Sequence, residues 1–118
     1  MKLTEVDFGA SIPIEGYGAD YYRLDDVAHP APLVVAPGHI APWAGYDDLE
    51  PLLDMAGQID VLFIGTGAQI SPIPSALRQT LEGAGLGVEI MSSATACRTY
   101  NVLLSEGRRV AVALLPAG

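Results

Sequence analysis

One cysteine, one tryptophan, two phenylalanines and six basic residues are all that this 118-residue sequence holds of those types. A lone cysteine, Cys97, makes no internal disulfide, which fits a reducing compartment. Six Lys and Arg against fourteen Asp and Glu leave a net charge of −8. A chain this acidic is repelled by nucleic acid and by anionic lipid, so neither is expected as a partner. Long apolar runs are missing too. The uncharged stretch from Val61 to Leu77 is broken by Gly65, Gly67, Pro72 and Pro74 and is no membrane span. The opening residues, MKLTEVDFGAS, are charged early and lack an apolar h-region, so no secretory signal is expected and the bacterial-type cytoplasm is. His29, His39 and Cys97 do not have metal-ligand spacing. No serine sits in G-x-S-x-G, and no P-loop is present. Catalytic residues, metal ligands and cofactors are therefore all expected to be none.

What is present is a core. Half of the residues are apolar, and thirteen Gly and nine Pro supply turns, which suits one domain over residues 1–118. The charge is uneven. Residues 1–60 hold eleven acids against Lys2 and Arg23, whereas residues 61–118 hold three acids against Arg78, Arg98, Arg108 and Arg109. The acidic half reads as a solvated surface within that domain.

The first forty residues read as strands and turns: VDFGASIPI alternates weakly, ADYYRL is β-like, and PLVVAP is a short apolar strand. Asp47-Asp48 suits a cap for a helix from about Asp48 to Ala56, with Pro51 in its first turn. The second half is more regular. DVLFIG is a continuous apolar run, as in a strand covered on both faces. A helix is expected from Ser71-Pro72 to Ala84, then the strand VEIM, a helix over 94–106, and the strand RVAVALLP. The expected class is α/β: one compact domain whose mixed sheet has helices on both faces, its C-terminal β-α-β-α-β unit preceded by N-terminal strands.

Ligands of parallel sheets favour the carboxyl ends of strands. That edge holds Gly65, Thr66 and Gly67 after one strand and Ser92-Ser93 after the next. GTGAQI is not a dinucleotide fingerprint, because Ile70 replaces the third glycine and the helix begins too late. It reads first as a tight turn and second as a cradle for a small anion. In ACRTYNVLL, Cys97 and Tyr100 fall on the buried face of the helix and Arg98 and Asn101 on its flank. Cys97 reads as an inert core thiol, Tyr100 as a packed ring with a bonded hydroxyl, and Asn101 as an amide for loop backbone groups. Arg98 suits a carboxylate or a phosphate, or else braces loop carbonyls or an acid of the N-terminal half; the residues alone leave both open. Asp25-Asp26 and Asp47-Asp48 suit turns and caps better than acid–base work.

The segments VLFIGTGAQ, VEIMSSATACRTYNVLLSEGRRVAVALLP and the earlier YYRL…LVVAPG…W resemble a widespread family of small α/β domains of unknown function. That family includes a mitochondrial respiratory complex I assembly factor and an adipogenesis-associated domain protein. The resemblance runs from about residue 5 to the end. It implies a mixed-sheet α/β domain, no established enzymatic activity, and protein binding or assembly for some members. Its signature positions fall on Gly65, Gly67, Arg98, Thr99, Tyr100, Asn101 and Arg108.

Two functions are therefore set side by side. One is a non-catalytic binding or assembly module, with an unidentified protein partner, serving membrane or respiratory complexes by resemblance. The other is a small enzyme or sensor that binds an anionic metabolite at Gly65, Thr66 and Gly67, with Arg98 as clamp. A homodimer is compatible with either, and direct membrane insertion with neither.

Overall fold

A computed structural model describes residues 12–118, so the part of VDFGASIPI before Ile12 lies outside the described residues. Five strands form the main sheet: β4 (Leu33–Ala36), β5 (His39–Pro42), β6 (Val61–Gly65), β7 (Gly87–Met91) and β8 (Val110–Leu114). Their order is β5-β4-β8-β6-β7. β6 runs parallel to β7 and β8, and β4 runs antiparallel to β5 and β8. A separate antiparallel meander comprises β1 (Gly16–Tyr17), β2 (Tyr21–Leu24) and β3 (Val27–Pro30). Its β2–β3 turn is Asp25-Asp26, both at positive φ, 56° and 63°. Two left-handed residues match the twist of a tight hairpin, and Asp tolerates that region better than most side chains.

Three helices connect and cover the main sheet: α1 (Glu50–Leu53), α2 (Ser75–Gly83) and α3 (Ser93–Ser105). The path leaves β6 for β7 on one side, then returns across β6 to β8 on the other. Right-handed crossovers in opposite directions place their helices on opposite faces. The sheet accordingly divides two cores. Leu62 and Ile64 of β6 join Val34, Ala36, Ala111 and Ala113 against Leu77 and Leu81 of α2, with Trp43 and Leu52 alongside. Phe63 joins Leu33, Val35, Val110, Val112 and Leu114 against Ala96, Cys97 and Tyr100 of α3, with Tyr22 and Leu24 of the meander. Apolar residues on both faces explain why these strands read as continuous hydrophobic runs.

Two helix boundaries differ from expectation. The helix expected over Asp48–Ala56 is only α1, with Leu49 at its N-cap and no side-chain cap bond. Asp48 is occupied in the preceding loop: its carboxylate accepts the Ala44 N–H at 2.9 Å, and its carbonyl accepts the Trp43 indole N–H at 3.0 Å. The helix expected from Ser71-Pro72 begins at Ser75, with Pro74 as an extended N-cap at ψ 133°. The residue before a proline is biased toward extended backbone, so Pro72 and Pro74 postpone the helix. The Ser71 N–H bonds the Thr66 hydroxyl at 2.9 Å.

Truncation on either side of β6 tests the two-faced burial. Leu62→Ala is expected to lose about 2–5 kcal/mol and Phe63→Ala about 3–5 kcal/mol in urea unfolding. A sheet covered on one face only would leave one of the two within about 0.5 kcal/mol of wild type.

Candidate functional site

The carboxyl ends of β6 and β7 and the chain leaving β8 meet at one rim. Ser93, at the first turn of α3, is its hub and is fully buried. Its hydroxyl accepts the Gly67 N–H at 3.0 Å and donates to the Leu115 carbonyl at 3.1 Å. Its own N–H donates to the Gly67 carbonyl at 2.8 Å. Leu115 also returns its N–H to Gly65 at 3.0 Å and receives the Tyr22 hydroxyl on its carbonyl at 2.6 Å. The Thr66 N–H bonds the Met91 carbonyl at 2.9 Å, and its hydroxyl donates to the Gln69 carbonyl at 2.8 Å. Gly65 has no room for a side chain: a Cβ there would lie 2.8 Å from Leu114 Cδ2 and 2.9 Å from Ser93 Cα. Gly67 takes a positive φ of 111°, which favours glycine. Gly65, Thr66 and Gly67 thus join Ser93 in a knot whose polar atoms largely satisfy one another.

The Arg98–Asn101 segment divides between the two sides of α3. Tyr100 is buried and donates its hydroxyl to the Ile12 carbonyl at 2.8 Å. Asn101 grips Ile14 twice, accepting its N–H on Oδ1 at 2.9 Å and donating from Nδ2 to its carbonyl at 2.8 Å. These two side chains hold the segment entering the meander against α3. Arg98 is exposed and donates to Thr95 Oγ1 at 3.2 Å, within its own helix. With Thr99, Val102 and Leu103 it lines an open recess of about 400 Å³ on the outer surface. Among the described residues, no hydrogen bond joins Arg98 to Gly65, Thr66 or Gly67, and none of these three lines the recess beside Arg98.

Arg108 lies elsewhere. It precedes β8, whose Val110 pairs with Val61 at the start of β6, at the end of the sheet away from Gly65. There it lines a recess of about 220 Å³ with Pro37, Gln58, Leu104 and Arg109. Arg109 bonds the Asp60 carboxylate at 2.8 Å, and that hydrogen bond holds the Asp60 carboxyl below its usual range. Sequence reasoning placed Ser93 at a strand tip but did not find its role as hub. Tyr22 escaped as well, because it reaches the rim from a different sheet. Among the described residues, no group of three or more His, Cys, Asp or Glu side chains is placed to hold a metal ion. No helix among them is long and apolar enough to cross a membrane.

The model of the family described as "Protein of unknown function (DUF498/DUF598)" matches residues 14–115. The chain belongs to this family. An uncharacterized protein from Rhodobacter capsulatus is 46% identical over 116 residues, covering 98% of this chain and 94% of that protein. Human NADH dehydrogenase (ubiquinone) 1 alpha subcomplex assembly factor 3 is 34% identical over 123 residues, covering 98% of this chain and 67% of that protein. The crystal structure of a protein described as an outer membrane protein from Bartonella henselae superposes with a TM-score of 0.84 at 33% identity, covering 93% of this chain and 98% of that one. These likenesses agree with the family resemblance read from the sequence and with its mixed-sheet α/β fold.

Burial sets the chemistry beneath α3. It raises the Cys97 thiol from an ordinary 9.0 to about 12, with the nearby Arg98 charge acting weakly in the other direction. It raises the Tyr22 hydroxyl from 10.0 to about 12, although the neighbouring Ser93 hydroxyl opposes the shift. Tyr100 is pushed upward by burial as well. A thiol so placed holds almost no thiolate near neutrality and is a poor nucleophile.

Two variants check this account. Asn101→Leu leaves the Ile14 N–H and carbonyl without their partners and is expected to cost about 1–3 kcal/mol for each group that stays buried. Hydrogen exchange at the Ile14 amide should accelerate in the same variant. The alkaline limb of stability follows from the raised acids. The unfolded chain releases the thiol proton near pH 9 while the native protein keeps it to about 12, so the unfolded state binds fewer protons and stability falls as pH rises through that window. Cys97→Ala should remove the part of the fall that begins near pH 9 and leave the tyrosine part that begins near 10.

Proposed function

We propose that this chain is a non-catalytic protein-binding module that assists the assembly of a respiratory or membrane complex. The observation that carries this reading is the division of labour at α3. Tyr100 and Asn101 spend their polar atoms on Ile12 and Ile14 inside the domain. Arg98, Thr99 and the exposed Val102 form an outward face. Arginine is enriched at the centres of protein contacts, and Val102 adds exposed apolar surface beside it. The relationship to complex I assembly factors supplies the kind of task. The anionic-metabolite reading has weaker support, because the Gly67 amide it would use already bonds Ser93, and the recess beside Arg98 is not lined by Gly67. Arg108 belongs to neither surface and stands as a candidate second contact at the opposite end of the sheet.

The test is genetic. Deleting the gene in the bacterium that encodes this chain should lower the amount of intact NADH dehydrogenase complex on native gels, and wild-type protein should restore it. The double variant Arg98→Glu, Val102→Asp alters only exposed positions and should fold normally yet fail to restore the complex. A deletion strain with a full complement of respiratory and other membrane complexes would refute the reading.

A further inference from the structure

The outer strands of the two sheets are protected unequally. β1 has two residues, and β3 ends in Pro30. β5 carries Pro42 opposite Leu33. The Trp43 N–H bonds the Pro32 carbonyl, which makes the Pro42–Leu33 pair one whose groups face away from each other. Pro42 therefore stands where an outward N–H would be, and a proline there blocks a further strand. β7 has no proline. The Gly87 N–H bonds the Asp60 carbonyl, and the Met91 carbonyl accepts the Thr66 N–H. In a parallel ladder this places residues 87, 89 and 91 toward β6, and the N–H and C=O groups of Val88 and Ile90 toward the free edge.

One of those edge groups is already in use. Arg78 of α2 reaches over the edge and donates to the Val88 carbonyl at 3.2 Å, while the same nitrogen bonds Glu82 at 3.2 Å. That ion pair is a partly exposed i,i+4 contact, the kind that is readily exchanged for water. Among the described residues, the outward Val88 N–H, Ile90 N–H and Ile90 carbonyl have no partner in the protein. The side chains of this edge are also sorted by face. Val88 and Ile90 belong to the core on the α2 side, and Glu89 stands exposed on the α3 side.

We infer that the β7 edge accepts an added strand from a partner polypeptide, with basic side chains on the α3 face beside Glu89 and apolar ones on the α2 face beside Ile90. Strand addition takes its affinity from main-chain hydrogen bonds and its selectivity from alternate side chains. Arg78 is the removable guard of this edge: it occupies the Val88 carbonyl in the free protein and yields it to the incoming N–H. A second copy is the poorer occupant, because pairing two β7 edges brings Glu89 side chains and two chains of charge −8 together. The inference deepens the protein-binding reading by naming one contact and the chemistry of its partner.

The experiment is a titration of isotope-labelled protein with two capped peptides, one alternating lysine and valine, the other alternating glutamate and valine. The lysine peptide should shift the Val88 and Ile90 amides and slow their hydrogen exchange by about tenfold or more; the glutamate peptide should not. Glu89→Lys should reverse that preference, and Arg78→Ala should tighten binding. Ile90→Pro removes an outward N–H without touching the β6 ladder and should abolish binding. If that variant does not fold, exchange at Val88 and Ile90 in the wild-type protein decides. Unchanged amides up to millimolar lysine peptide, full binding by folded Ile90→Pro, or a homodimer lost in that variant would each overturn the inference. The genetic test fails separately: a protein that takes the peptide but is dispensable for complex assembly loses only the assembly role.

Discussion

The fold depends on the burial of β6 from both sides at once. Its side chains alternate between two cores, Leu62 and Ile64 on the α2 side and Phe63 on the α3 side. It is also the strand with parallel neighbours on both edges. A strand of this kind cannot slip by one residue without exchanging its two sets of side chains. With β6 held, the two crossovers have one permitted hand each, and α2 and α3 must lie on opposite faces. The rim at its carboxyl end follows from the same arrangement, because the chain from β6, the start of α3 and the residues after β8 all converge there.

Ser93 shows how little polar chemistry that convergence leaves unused. Its hydroxyl is buried and takes part in two hydrogen bonds. A buried hydroxyl is costly without partners, so the knot at Gly65, Gly67 and Leu115 is part of what makes the rim stable. The same economy governs Asn101, whose amide is matched to both backbone groups of Ile14. These polar groups hold three layers together: meander, α3 and sheet. Exposed on the outer surface are side chains such as Arg98 and Val102, and the sheet edge turns backbone groups of Val88 and Ile90 outward.

Much of the second half was readable because its periodicities are clear. DVLFIG and RVAVALLP are apolar at successive positions, and a strand can satisfy that only when both faces are covered. The helix expected over 94–106 differs from α3 by one residue at each end. The Asp47-Asp48 cap was misread because an acid pair before a helical run has two uses, and the choice rests on Trp43, whose indole needs the Asp48 carbonyl. The late start of α2 was present in Pro72 and Pro74, which bias the residues before them, Ser71 and Ile73, toward extended backbone against the helical pattern around them. At the candidate site, the buried character of Cys97 and Tyr100 and the amide chemistry of Asn101 were visible on the helical wheel, whereas the partners, Ile12 and Ile14, were 88 and 87 residues away in the chain.

The sequence alone determined the class of this protein: an acidic α/β domain with parallel strands, two-faced burial and no recognisable catalytic motif. Those properties are local, since composition and hydrophobic period are carried by neighbouring residues. Tertiary structure decided which polar groups are free. It brought Tyr22, Ser93 and Leu115 to one rim from three distant segments, moved Arg108 to the other end of the sheet, and made β7 an outer strand with Arg78 across it. Hydrogen bonds between segments so far apart have no signature in sequence spacing, because only the folded chain brings their donors and acceptors within 3 Å or so of each other.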